Sequence, residues 1–593
     1  MGEDIDNWLA RFDAALRAGE PREVAELFEP GGYWRDLLTF TWNISTMEGR
    51  EAITGMLGEC LFRTAPSGWR RTGVAEETED GHAAWIAFET GAAHGTGRVT
   101  IRDGRCHVLL TAVADLKGHE EARGRTRPQG ILHKADRTRT TWSERRTAEA
   151  ARIGRQEAPE VLVVGAGQGG IALGARLKSL GVPTLIVEKN PRAGDSWRNR
   201  YRSLVLHDPV WYDHLPYLPF PETWPVFCPK DKMGDWLEAY ASIFELDIWT
   251  SSTCERATWS TGAGRWTATI RRGDGEEVTV SPRQLVFCTG AYGPPNEIRF
   301  PGKDDFTGTL LHSAHYASGA PFRGKRAVVI GAGSSAHDVA VDLWEAGAEV
   351  TMLQRRPSIV VKSETLMDLG FDIYSEDAVQ KGITTEMADM LSAATPFRLF
   401  EDKQKRLYDT IRTRDAAFYG RLGAAGFAFD FGEDETGLMM RALRTASGYY
   451  IDVGASDLIS EGEIAVINGE VERLTSSGLR LASGREVQAD VIVACIGYQS
   501  MNEAVADIVS REVADAVGPC WGLGSGIRGD PGPWQGELRN MWKPTAQEAL
   551  WFHGGNLALS RFYSRFVALQ LKARMEAIPT PVYGRPEPFQ TGL

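Results

Sequence analysis

Two glycine-rich turns, Gly165-Ala166-Gly167-Gln168-Gly169-Gly170 and Gly331-Ala332-Gly333-Ser334-Ser335-Ala336, stand in one chain, each directly behind a short apolar run. Val161-Leu162-Val163-Val164 leads into the first and Ala327-Val328-Val329-Ile330 into the second. Such a run reads as a buried strand, and glycines then let the backbone turn tightly into a helix whose N-terminus faces a pyrophosphate. A chain with two of these units is expected to be α/β, with two Rossmann-like dinucleotide-binding domains. Two bound nucleotides imply electrons passed between two cofactors.

The charge at the end of the next strand tells the two turns apart. Thr184-Leu185-Ile186-Val187 ends in Glu188-Lys189, about 20 positions downstream, where a carboxylate can bind adenosine ribose hydroxyls. Glu349-Val350-Thr351-Met352-Leu353-Gln354 ends instead in Arg355-Arg356. A guanidinium pairs with a 2′-phosphate where a carboxylate would repel it, so NADPH is expected over NADH. Cofactor contacts are therefore expected from Gly165, Gly167, Gln168, Gly170, Glu188 and Lys189 at the first turn, and from Gly331, Gly333, Ser334, Ser335, Arg355 and Arg356 at the second.

At 593 residues the chain exceeds what a single core organises, so two or three domains are expected. The net charge of −13 argues against a general nucleic-acid or acidic-membrane binder, because phosphate affinity needs clustered Lys and Arg. No uncharged apolar stretch approaches the roughly 20 residues of a membrane span. The acidic start Met1-Gly2-Glu3-Asp4-Ile5-Asp6 lacks the pattern of a signal peptide, and a cytoplasmic protein is expected. Cys60, Cys106, Cys228, Cys254, Cys288, Cys495 and Cys520 form no C-x-x-C pair, which suggests neither a disulfide framework nor a metal site.

Residues 1–115 read as a separate α+β unit. Ile5, Trp8, Leu9, Phe12 and Leu16 recur at helical spacing, and Asp103-Gly104 between two strand-like runs signals a hairpin. Helices followed by an antiparallel meander suggest a small cone-fold domain. Residues 116–158 read as a charged linker ending in a helix from Ser143. Residues 159–325 are expected to hold the first nucleotide-binding unit and 326–484 the second, with a helical insertion at about 359–448, and 485–593 follow as a C-terminal part. His107 and Asp36 are read as structural.

Beyond the first turn lie Gly194-Asp195-Ser196-Trp197 and then Tyr201, Ser203, Leu204, Leu206, His207, Asp208 and Pro209. These resemble the flavin-containing, or class B flavoprotein, monooxygenases, whose FAD-binding half carries G-G-x-W followed by Tyr-x-Ser-Leu-x-Leu-Asn beside the isoalloxazine. His207 replaces that Asn, as in the longer bacterial and fungal type II members, which also carry an N-terminal extension; residues 1–115 resemble the nuclear transport factor two-like (SnoaL-like) fold. Phe306, Gly308, His312 and Tyr316 match the fingerprint F-x-G-x-x-x-H-x-x-x-(Y/W) of monooxygenases that keep both FAD and NADP. The resemblance implies that the fingerprint links the domains more than it does chemistry, and that 159–325 and 485–593 together form an FAD-binding domain interrupted by the NADP-binding domain 326–484.

The resemblance implies cofactor contacts from Ser196, Trp197 and Asp208, and catalytic roles for His207 and for Asn556, which follows His553-Gly554-Gly555. It implies that NADPH reduces FAD, that the reduced flavin and O2 give a C4a-hydroperoxyflavin, and that one oxygen atom enters a small organic substrate. Tyr316-Ala317-Ser318, in place of Trp with Pro or Asp, favours N- or S-oxygenation; Baeyer-Villiger oxidation of a ketone is the alternative, and an NADPH oxidase a remoter one. A disulfide reductase needs a redox-active cysteine pair, which is absent. NADH tolerance and homo-oligomerisation stay open.

Overall fold

The computed structural model describes residues 2–130, 133, 135–290 and 293–589. Residues 291 and 292, which follow the apolar run ending at Gly290, lie outside the described residues. The N-terminal unit is a six-stranded sheet in which Phe28–Leu37 pairs in parallel with Arg105–Leu116 and the remaining pairings are antiparallel. Trp8, Phe12, Phe28 and Trp34 are buried between its helices and one sheet face. The Asp103-Gly104 turn joins Ala93–Arg102 to Arg105–Leu116 with φ of 49° and 74°, the two left-handed residues that a two-residue hairpin needs.

A charged segment follows, and the helix Trp142–Arg152 closes it. Thr141 and Glu144 make a reciprocal capping box that starts this helix one residue before the expected Ser143.

The first nucleotide-type sheet has five strands, with Leu550–Phe552, Gln284–Phe287, Val161–Val164, Thr184–Val187 and Ile248–Trp249 side by side and parallel. Every residue of Val161–Val164 is buried, as expected of a strand with helices on both faces. The second sheet orders Thr309–His312, Val491–Ala494, Arg326–Ile330, Glu349–Gln354 and Ile464–Asn468, again all parallel.

This order corrects the expected boundaries at 325 and 485. Those limits put Thr309–His312 and Val491–Ala494 with the FAD unit, but Val491–Ala494 bonds directly to Arg326–Ile330, and Thr309–His312 bonds to Val491–Ala494. The second sheet thus draws strands from both sides of the anticipated domain. An apolar parallel strand carries no mark of its neighbour, so its sheet is decided only when the chain packs.

The stretch expected to be a helical insertion contains helices, the longest being Phe397–Arg414, but it opens and closes on strands. Ser358–Lys362 pairs in parallel with Phe429–Asp430 and Tyr449–Asp452 in a small sheet of its own. The helix Leu557–Met575 packs against the helix after the first turn.

Candidate active site

The two turns are built alike. Gly165 has φ +106°, and a Cβ there would lie 2.5 Å from the Cys288 carbonyl oxygen. Gly331 has φ +127°, and a Cβ there would lie 2.5 Å from the Cys495 carbonyl oxygen. At each site only glycine supplies the backbone angle and the room. Gly170 packs its helix on the strand, since a Cβ would sit 1.9 Å from the Gly165 oxygen. Gly167 and Gly333 cap the helices Gln168–Ser179 and Ser334–Glu345, and no side chain makes a capping hydrogen bond at either N-terminus.

Both turns open onto one cavity of about 2260 Å³. Gln168, Lys189, Ser196, Trp197, His207 and Asp208 line it from the first unit. Gly331, Gly333, Ser334, Ser335, Arg355 and Arg356 line it from the second, and Asn556 lines it from the C-terminal segment. Gly165, Gly167, Gly170 and Glu188 are not among the lining residues. The Glu188 carboxylate is buried, accepting N–H bonds from Ala166 at 2.7 Å and Asn190 at 2.9 Å, so it fastens the first turn to the end of the neighbouring strand.

Gln168 donates to the Gly555 carbonyl at 3.1 Å and accepts from the Trp197 indole at 3.2 Å, tying together three segments far apart in sequence. Asn556 caps Leu557–Met575 by accepting from the Leu559 N–H at 2.9 Å, while its amide donates to the Tyr212 hydroxyl at 3.2 Å. It is a helix cap and a cavity residue together.

His207 is held by a residue that sequence reasoning missed. Its Nε2 lies 3.5 Å from Oδ1 of Asp338, on the helix after the second turn, and the Tyr201 hydroxyl bonds to the same carboxylate. Burial alone would push the His207 imidazole down, but Asp338, with Asp208 and Asp452 beyond it, holds it above its ordinary value. Asp208 is pushed up to about 6 by burial, against the pull of His207. The only hint of Asp338 in the sequence is its position one turn into a nucleotide-binding helix. Its neighbour His337 stacks on Tyr450 with ring centroids 4.0 Å apart.

Arg355 and Arg356 end the second strand, and Arg355 is 3.8 Å from Glu470 with most of its side chain exposed. Arg528 and Arg355, with Arg441 further off, press the Arg356 guanidinium below its usual value, which marks a cluster of cations with too few anions. Arg528 and Arg441 had no signal in the sequence, because they come from separate loops and helices.

The fingerprint residues do not line the cavity. Phe306 is buried, and Gly308 leaves room for the Asp490 carbonyl, 2.4 Å from where a Cβ would stand. His312 accepts from the Ala314 N–H at 3.0 Å through Nδ1, so its Nε2 carries the proton and donates to the Gly497 oxygen at 3.1 Å. The Tyr316 hydroxyl donates to Asp342 at 2.6 Å. Just beyond, Arg202 N–H donates to the Ala317 oxygen at 2.9 Å, joining this segment to the one that carries His207.

Two parallel sheets, each with a glycine turn facing a shared cavity, define an oxidoreductase of the two-dinucleotide class. Residues 162–396 match the family model described as pyridine nucleotide-disulphide oxidoreductase, while the cysteines in this structure are all unpaired. The chain is 32% identical over 343 residues to indole-3-pyruvate monooxygenase YUCCA1 of Oryza sativa subsp. japonica, covering 58% of this chain and 77% of that protein. It is 29% identical to probable indole-3-pyruvate monooxygenase YUCCA10 of Arabidopsis thaliana, covering 57% and 82%. In fold it is similar to the OTEMO complex with FAD and NADP, at TM-score 0.51 and 17% identity over 71% of this chain and 86% of that one. The chain belongs to the class B flavoprotein monooxygenases, an enzyme family. Among the described residues no helix is long and apolar enough to cross a membrane.

Proposed function

We propose that this chain is an FAD- and NADPH-dependent monooxygenase that oxygenates a soft nitrogen or sulfur centre. The observation that carries the reading is the pair of open helix N-termini facing one cavity, with His207 and Asn556 on its wall. The residues present fit the cofactors: at Gly167 and Gly333 no side chain makes a capping hydrogen bond, so each helix N-terminus can take a pyrophosphate. The Arg355, Arg356 and Arg528 cluster offers the charge that a 2′-phosphate would complete. The flavin, when bound, would take hydride from NADPH and activate O2; the reaction consumes NADPH, a proton, O2 and substrate and yields NADP⁺, water and the oxygenated product.

His207 would present a ring N–H to the cavity, with Asp338 fixing its orientation and favouring its protonated form. Asn556, whose amide is held by the helix cap and by Tyr212, would supply a donor that is already oriented. Gln168 and Trp197 would hold the C-terminal turn against the first nucleotide site and keep water from it.

The test is anaerobic bleaching of the yellow protein by NADPH, followed by O2 with a sulfide or a cyclic ketone. Matched NADPH consumption and sulfoxide formation is the expected result. Lactone instead of sulfoxide would favour ketone oxidation, and stoichiometric H2O2 without product would leave only an oxidase.

A further inference from the structure

The cavity does not end at the nucleotide turns. It runs on between the helix Phe397–Arg414 and the N-terminal sheet, where Arg35, Thr78, Asp80, Arg98, Thr100 and Val108 line it. Arg35, Arg98, Thr100 and Val108 belong to the sheet face turned away from the unit's own helices, and Asp80 lies in the turn between Ser67–Thr78 and Gly81–Glu89. Arg98 stands opposite Leu110 and Thr100 opposite Val108, whereas the intervening Val99 and Leu109 point into the N-terminal core. This face is fastened to the enzyme body. Arg35, buried, bonds to Glu537 at 2.7 Å through two nitrogens and to the Ala393 carbonyl at 2.9 Å. Lys403 pairs with Asp80 at 3.0 Å, and Arg406 with Glu79 at 3.3 Å.

Within this outer end two buried polar groups lack partners. The Arg98 side chain is 8% exposed; its Nη2 donates to Glu76 at 2.9 Å and its guanidinium lies 5.0 Å from the Trp85 ring centroid, but Nη1 has no acceptor. On the helix that forms the other wall, the buried Gln404 amide oxygen also has no partner. Leaving a charged donor desolvated and unmade is costly, and Arg98 and Gln404 are both among the residues that line the cavity. The path from there toward Asn556 is walled by Phe400, Phe397, Leu391 and Phe562. A polar end, an apolar passage and a reactive inner end suit a ligand with one charged terminus.

We propose that the N-terminal unit closes the substrate corridor and that Arg98 holds the carboxylate of a substrate whose apolar body extends toward His207 and Asn556. Gln404, whose amide presents its N–H after a half-turn, is the second contact. The inner end of this assignment rests on the monooxygenase reading; the outer end does not. An Arg–carboxylate contact in a dry site is geometrically specific, so the N-terminal unit would set which substrates enter.

The test is calorimetric binding to the flavin-loaded full chain, with octanoate and octanamide as probes, so that no turnover is involved. The wild type should bind octanoate about tenfold more tightly than octanamide, the scale of one charge-assisted hydrogen bond. Arg98→Met should bind the two alike, and Arg98→Lys should keep part of the preference. Lys405→Met, which changes the charge of the same helix outside the cavity, should keep all of it. Flavin content and circular dichroism monitor folding in each variant. Absence of octanoate binding at millimolar concentration, no preference in the wild type, or a full preference in Arg98→Met would overturn the proposal. Failure of the oxygenation assay with normal octanoate preference would count against the monooxygenase reading instead.

Discussion

The two glycine turns repeat one backbone device and differ in what surrounds it. Gly165 against Cys288 and Gly331 against Cys495 have the same clearance, and each turn leads into a helix capped by a bare glycine. At the first turn, the acidic end of the neighbouring strand is already engaged: Glu188 is buried and bonded to the Ala166 N–H. At the second, Gln354 turns away to exchange two hydrogen bonds with Ala428, and Ser358 donates to the Ala332 carbonyl. Arg355 and Arg356 are left facing outward among like charges. The first turn is therefore held around a buried carboxylate that is already bonded, whereas at the second Arg355 has the exposed Glu470 beside it and Arg356 stands among like charges that a phosphate would offset. That contrast suits a cofactor that stays and a cofactor that comes and goes.

The sharpest way to break the comparison is to block each turn in turn. Gly165→Ala and Gly331→Ala each push a Cβ onto a backbone carbonyl that cannot step aside, at a φ that disfavours alanine; a cost of about 3 kcal/mol is expected. Gly165→Ala should emerge without flavin. Gly331→Ala should stay yellow but resist bleaching by NADPH. Loss of flavin from both variants would show that the turns do not serve separate nucleotides. Next in size is Glu188→Gln, which keeps an acceptor for Ala166 but removes the charge, weakening that bond by roughly 1.5 kcal/mol. Flavin release on dilution should increase, and unchanged retention would remove Glu188 from the account.

Asp338→Asn probes the point where the second unit reaches into the first. With Asp338 present, the raised His207 value means that its stabilising pairing is fully present below the unfolded histidine value and is lost as pH rises through the folded one. Replacing Asp338 leaves burial as the main influence, so His207 should titrate lower. The alkaline limb of the oxygenation profile should shift to lower pH, and an unmoved limb would show that His207 does not control it. The smallest effect is expected at the exposed end of the second strand. Arg355→Ala should raise the KM for NADPH about fivefold while leaving that for NADH alone, since exposed charges are well screened. Equal changes for both nucleotides would argue against recognition of a 2′-phosphate.

Both turns were legible because they depend on local rules: an apolar run, glycines at fixed spacing, and a charged residue at the next strand's end. The Asp103-Gly104 hairpin and the capped helix after Thr141 were legible for the same reason. Asp338 was not, because a lone Asp on a helix looks like a solvated charge until folding sets it against His207. Arg35 and Glu537 likewise lie some five hundred positions apart and reveal their pairing only when buried together. The strand Val491–Ala494 shows why domain limits were misplaced: its apolar pattern states that it is buried, not which sheet receives it.

The sequence by itself therefore determined the α/β class, the two nucleotide turns and the opposite charges beside them, because each follows from residues close together in the chain. Only the tertiary structure decided that both turns share a cavity, that Asp338 reaches His207, and that an N-terminal sheet forms the cavity's outer wall with Arg98. Those features depend on burial and on contacts between distant segments, and a pattern of neighbours along the chain does not encode them in readable form.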